Sequence, residues 1–145
     1  MASLLRFSEA AALALHAMAR VAVGRGDVLS AKALAHDCQA SEAHMIKVCQ
    51  RLAQGGLLNA HRGAAGGFTL GKSAGQIRLL EIYALIEGPV VLKPCLFQNH
   101  TCIGDHHKEC VFGTMIMGFE KDVLRYLRTT SLAAVAAKCT SGDGR

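Results

Sequence analysis

The sequence predicts a mainly α-helical protein with one small β-hairpin: a winged helix-turn-helix followed by a long C-terminal dimerisation helix. Three observations predict it. Apolar residues recur at helical spacing through most segments, in a chain that is 51% hydrophobic, rich in Ala and Leu, with only 2 Pro. Two short helical segments flank Cys38-Gln39-Ala40, which is the layout of a helix-turn-helix. A glycine-rich turn, Arg62 to Gly67, then separates two short strand-like runs.

Ser8 to about Val23 reads as a first helix, capped by Ser8, with Leu13, Ala17 and Val21 at helical spacing. Gly24-Arg25-Gly26-Asp27 stops it. Ser30 caps a short second helix through Asp37, with Leu34 facing inward. Ser41 caps a third that runs to about Gln54 and ends at Gly55-Gly56. Leu57 to His61 and Phe68 to Leu70 form the hairpin strands. Arg78 to Glu87 is a fourth helix, with Leu79, Ile82, Tyr83 and Ile86 on one side, closed by Gly88-Pro89. Residues 89–110 read as irregular. A long helix from Phe112 to about Thr129 carries Ile116, Phe119, Val123 and Tyr126 at steps of 3, 4 and 3, a short coiled-coil seam. Leu132 to Ala137 adds a turn or two, and Thr140 to Arg145 reads as a loose tail. The expected organisation is a DNA-binding unit over residues 1–75, a fourth helix with a cysteine-bearing loop over 76–111, a dimerisation helix over 112–139 and a flexible tail over 140–145.

The charge balance, 16 Lys+Arg against 11 Asp+Glu, gives a formal +5, which suits a polyanionic partner. No apolar run reaches the roughly 18 residues of a membrane span, and the first residues lack the pattern of a secretion signal. A cytoplasmic location without a membrane partner is therefore expected. In that reducing setting the six cysteines read as free thiols or metal ligands rather than disulfides.

The third helix has two faces. Met45, Val48, Cys49 and Leu52 form an apolar stripe at i, i+3, i+4 and i+7. Ser41, His44, Lys47 and Arg51 share another face and carry groups that reach bases and phosphates; the alternative is a merely solvated face. In the hairpin turn, Arg62 is placed to contact a phosphate or enter the minor groove, and Gly63 allows close approach to the sugar-phosphate backbone. An ordinary hairpin with an exposed arginine is the plainer reading, but a hairpin directly after a helix-turn-helix favours the wing.

Cys95, Cys102 and Cys110 fall within sixteen residues. Thiolates hold iron in iron–sulfur clusters, usually four ligands to a cluster. Three cysteines beside His100, His106 and His107 also fit a Cys₃His zinc site, and free thiols fit a disulfide switch. Cys38 and Cys49 sit at apolar helical positions and read as core; Cys139 reads as an exposed thiol, and His16, His36 and His61 as satisfied or solvated. The chain has no Cys-x-x-Cys pair, His-Glu-x-x-His, phosphate loop or nucleophile elbow, so no enzyme is expected.

The wing Arg62-Gly63-x-x-Gly66-Gly67-Phe68-x-Leu70, the Leu79-Leu80-Glu81-Ile82 helix ending in Glu87-Gly88, the three loop cysteines and Thr130-Ser131-Leu132 together resemble the winged-helix iron–sulfur regulators that include IscR, NsrR and RirA. The resemblance spans about residues 3 to 138 and is most specific in the wing. It implies a homodimeric transcription factor, usually a repressor, that binds near-palindromic operators in double-stranded DNA and in many members carries a [2Fe-2S] or [4Fe-4S] cluster. It also implies a fourth ligand: Glu9 from the partner's first helix, or a histidine of the loop, His106 or His107. One feature departs from the family pattern. Six and then seven residues separate the cysteines, where five is the commoner spacing. The expected function is a regulator whose operator affinity follows a cluster that senses iron, redox state or nitric oxide. Zinc-containing or thiol-switched regulation is the alternative. An iron–sulfur carrier or thiol oxidoreductase fits less well, because neither needs the basic helix face or the wing.

Overall fold

A computed structural model describes residues 7–92 and 110–141. Helix α1 (Glu9–Val23) begins at Ser8, whose Oγ accepts from the Ala11 amide at 3.0 Å. Its inner face, Ala11, Leu13, Ala14, Ala17, Met18 and Val21, is buried. That face packs against α3 (Glu42–Gln54), α4 (Leu79–Glu87) and α6 (Leu132–Ser141). Three of these side chains are alanines with no exposure, so the neighbouring helices approach α1 closely.

The short α2 (Ala31–Asp37) is capped by Ser30 and packs on α3, which is capped by Ser41. All three serines lie one position before the first helical residue, as expected of N-caps. Strands β1 (Leu58–His61) and β2 (Gly67–Leu70) pair antiparallel, with Leu58 opposite Leu70 and His61 opposite Gly67. A further link fixes the hairpin to the body. The Leu29 amide donates to the Phe68 carbonyl at 3.1 Å, and the Phe68 amide donates to the Leu29 carbonyl at 2.9 Å. This approach requires glycine at 67, since a Cβ there would lie 2.4 Å from the Leu29 carbonyl oxygen.

After a 3-10 turn at Ala74–Gln76, α4 buries Leu79, Ile82 and Ile86. Its start is stitched to the C-terminal segment. The Leu79 amide donates to the Thr130 carbonyl at 3.1 Å, and the Leu132 amide to the Ile77 carbonyl at 2.8 Å. Helix α5 (Val111–Thr129) packs on α4, and α6 returns to α1.

The structure differs from expectation in the last helix. Residues from Leu132 form a helix of 10 residues, so Thr140 and Ser141 belong to its last turn and not to a loose tail; residues 142–145 lie outside the described residues. The alanine-rich sequence favours helix, and Leu132, with no exposure, anchors it in the core. The apolar residues of α5 divide by exposure. Phe112, Met115, Phe119 and Tyr126 are the exposed stripe, at steps of 3, 4 and 7, while Ile116 and Val123 lie on its flank and are half-buried. Val123 packs against the core of its own domain.

Ile82 is fully buried in the cluster that joins α1, α4 and α6. Ile82→Ala is expected to cost about 2–5 kcal/mol of stability through lost burial and the cavity left behind, measured by denaturant unfolding.

Candidate nucleic-acid interface

The helix-turn-helix turn is held by backbone geometry. Gln39 adopts φ 52°, and the Ala40 amide donates to the Ala35 carbonyl at 2.9 Å, which reverses the chain between α2 and α3. Arg20 on α1 donates its Nε to Asp37 at 2.7 Å, tying the end of α2 to the first helix. That hydrogen bond, aided by the arginine's charge, holds the Asp37 carboxyl below its ordinary range. A depressed carboxyl pKa adds stability above the ordinary carboxylate range that is lost as pH falls through the folded value. Both side chains are over a third exposed, so the contribution is small.

The expected DNA-facing residues of α3 differ in their engagement within the chain. Ser41 is exposed, and its Oγ accepts from the His44 amide at 3.2 Å, so the hydroxyl first serves as a cap. Lys47 is exposed, and no ion pair engages it among the described residues. His44 is half-buried, with Nδ1 3.8 Å from a carboxylate oxygen of Glu9. A residue expected to read DNA thus lies against a residue expected to ligate a cluster. Arg51 is engaged elsewhere: its Nη2 donates to the carbonyls of Leu85 and Ile86, at 3.1 and 2.9 Å. Gln50, three residues beyond Lys47, is exposed and carries an amide able to read adenine.

In the wing, Arg62 and Gly63 are both exposed, and Gly63 takes φ 102°, which favours glycine. Across the strands, His61 Nε2 and Thr69 Oγ1 are 2.8 Å apart, and Asn59 Nδ2 donates to the Leu70 carbonyl at 3.3 Å. The hairpin is therefore braced by side chains as well as by its ladder.

The thiols divide by environment. Cys49 is fully buried, and burial pushes its pKa up to about 11. Cys38 is half-buried and also raised, again mainly by burial. Both match the core reading. Cys110 caps α5, its Sγ accepting from the Gly113 amide at 3.3 Å. Cys139 is exposed. Cys95, Cys102, His100, His106 and His107 lie outside the described residues. Among the described residues, no group of three or more His, Cys, Asp or Glu is placed to hold a metal ion. Likewise, no helix among them is long and apolar enough to cross a membrane.

The family described as Rrf2, iron-dependent transcriptional regulator, matches residues 7–138. The chain belongs to the Rrf2 family. It is 31% identical over 113 residues to YffB of Lactococcus lactis, named as an HTH-type transcriptional regulator, covering 74% of this chain and 71% of that protein. Among solved structures, it is similar to CymR, the global cysteine regulator of B. subtilis, with 25% identity, a TM-score of 0.74 and coverage of 93% of this chain and 98% of CymR. IscR of T. potens shares the fold at 22% identity and a TM-score of 0.72, over 97% of this chain and 93% of IscR. The Rrf2 match and these relatives are transcriptional regulators rather than enzymes. The mainly helical winged-helix architecture expected from sequence is the one these structures have.

Burial of Cys49 sets its reactivity, because the thiolate is the species that alkylates. In native protein at pH 8, iodoacetamide is expected to leave Cys49 unmodified while labelling Cys139, and to label Cys49 only after unfolding in guanidinium. Peptide mass spectrometry reads both sites.

Proposed function

We propose that this Rrf2 protein is a homodimeric DNA-binding regulator, acting as a repressor, that uses α3 and the wing to grip a near-palindromic operator. One observation carries the reading: α3 buries its apolar stripe completely and leaves Lys47 uncommitted on its outer face, beside a hairpin pinned to the same body with Arg62 exposed. Ser41, His44, Lys47, Arg62 and Gly63 remain the proposed contact set, joined by Gln50. Lys47 and Arg62 supply charge for phosphates, and Ser41, His44 and Gln50 supply hydrogen-bonding groups. The exposed stripe Phe112, Met115, Phe119 and Tyr126 supports α5 as the dimer helix, since apolar side chains at that spacing are stabilised by covering them with a second copy. Such a dimer would set the two recognition helices about one DNA turn apart.

The proposed sensor is an iron–sulfur cluster, [2Fe-2S] or [4Fe-4S], held by Cys95, Cys102 and Cys110. Glu9 of a second copy, or His106 or His107, would complete the set. The donors within the described residues fit. Cys110 presents a sulfur at a helix N-terminus, where amide N–H groups favour a thiolate ligand, and the Glu9 side chain is 76% exposed. A bound cluster would supply a site where iron loss, oxygen or nitric oxide acts. The residues of this chain would then order the loop between α4 and α5 and, through it, the spacing of the recognition helices.

A second reading is regulation by zinc or by a thiol/disulfide switch; its thiol-switch form is supported by the likeness to CymR, a cysteine regulator, and to a Staphylococcus aureus CymR solved in an oxidised form.

Two measurements test the proposal. Lys47→Gln is expected to weaken binding to duplex DNA and to lower the slope of log affinity against log salt by about 1.8, the value of two phosphate contacts, one from each copy in the proposed dimer; an unchanged slope rejects that role. Protein purified without oxygen is expected to be brown, with matched iron and sulfide that are lost in Cys102→Ala. Colourless protein with stoichiometric zinc, or with no metal, would transfer the proposal to the second reading while leaving DNA binding in place.

A further inference from the structure

We infer that Arg51 is a positioning residue and not a DNA contact: it ties the recognition helix to the end of α4, at the point where the chain leaves for the cysteine-bearing loop. The inference rests on the reading of α3 as the recognition helix and adds a route between that helix and the loop.

The last turn of a helix leaves carbonyls without intrahelical donors. In α4 the Gly88 amide donates to Ala84 at 2.9 Å and closes one of them. The next donor in the ladder would be the residue four beyond Leu85, which is Pro89 and has no N–H. The chain has meanwhile turned away, because Gly88 adopts φ 87° and ends the helix. The Leu85 and Ile86 carbonyls are therefore left open, and Arg51 Nη2 donates to both. A guanidinium also places positive charge at a helix C-terminus, where the helix dipole favours it.

A second contact fixes the same junction. Gly55, at the end of α3 and one turn beyond Arg51, lies so close to Leu85 that a Cβ at position 55 would be 2.4 Å from a Leu85 methyl carbon. Two points one turn apart on α3 thus hold one residue of α4. Gly88, Pro89 and Val90 follow at once and lead to the loop. A displacement of the loop anchor is carried to α3 through Arg51, whereas a phosphate contact would leave the junction free.

Arg51→Gln and Arg51→Lys separate the two roles by hydrogen–deuterium exchange and by binding to a random-sequence duplex of about three helical turns. Glutamine removes the charge; lysine keeps it but loses the planar fork that serves two carbonyls. The inference expects about tenfold faster exchange over residues 84–92 in Arg51→Gln and a partial loss in Arg51→Lys, with α1 still protected. It also expects weaker DNA binding with an unchanged salt slope in both variants. A slope lower by about 1.8 in Arg51→Gln, restored in Arg51→Lys, would overturn it, as would unchanged exchange in both. Faster exchange spread evenly over α1 would reduce Arg51 to a general stabilising role and likewise overturn it. If Arg51→Gln fails to fold, Arg51→Lys decides alone, because a phosphate role predicts no change in its exchange. Failure of the wild-type protein to bind duplex DNA would sink the reading of α3 but leave the exchange result to judge the tie.

Discussion

Everything in this structure is hung on the small-residue face of α1. Ala11, Ala14 and Ala17 have no exposure and let α3, α4 and α6 meet around one helix. A larger side chain at any of them would force those helices apart in a closely packed interior. The recognition helix, the helix that leads to the cysteines and the C-terminal helix therefore share a single support. Met18, Val21, Ile82 and Leu132 complete that core and give it directional packing.

Around this support the hairpin is fixed by backbone contacts, and α2 and α3 are tied to their neighbours by long side chains as well. The wing is held at its base by the two hydrogen bonds between Leu29 and Phe68, and that contact exists because position 67 has no Cβ. The recognition helix is held at its far end on α4. Its outer face is left uncommitted at Lys47, as binding to a polyanion requires: a cation already paired within the protein would have to give up that partner first. Arg20 and Arg51 brace helices against one another, and Lys72 ties the bend after β2 to α4 through Glu81.

Much of the fold was legible because its signals are local. Ser8, Ser30 and Ser41 each mark a helix start, since a hydroxyl one residue ahead of the helix meets an otherwise orphaned amide. The stripe Met45, Val48, Cys49 and Leu52 is buried as its spacing implied. The C-terminus was harder. Leu132 and Val135 give a weak periodic signal among alanines, and the length of α6 depends on α1 offering a surface to pack on. On α5 the four apolar residues Ile116, Phe119, Val123 and Tyr126 look alike in sequence; only the position of α4 distinguishes the half-buried Ile116 and Val123 from the exposed Phe119 and Tyr126.

The sequence by itself determined the order of helices, the caps of the first three, the glycine-bearing wing and the apolar face of α3. Those follow from hydrogen-bonding and periodicity within a few residues. Only the tertiary structure decided which polar residues of α3 are available. Arg51 and Lys47 lie on one helical face and carry the same charge, yet Arg51 Nη2 donates to two carbonyls of α4, while no ion pair engages Lys47 among the described residues. That choice depends on Gly88 and Pro89, more than thirty residues away, leaving acceptors open within reach of Arg51. Likewise, the contact between Glu9 and His44 follows from the way α3 crosses α1, a relation that no local pattern encodes.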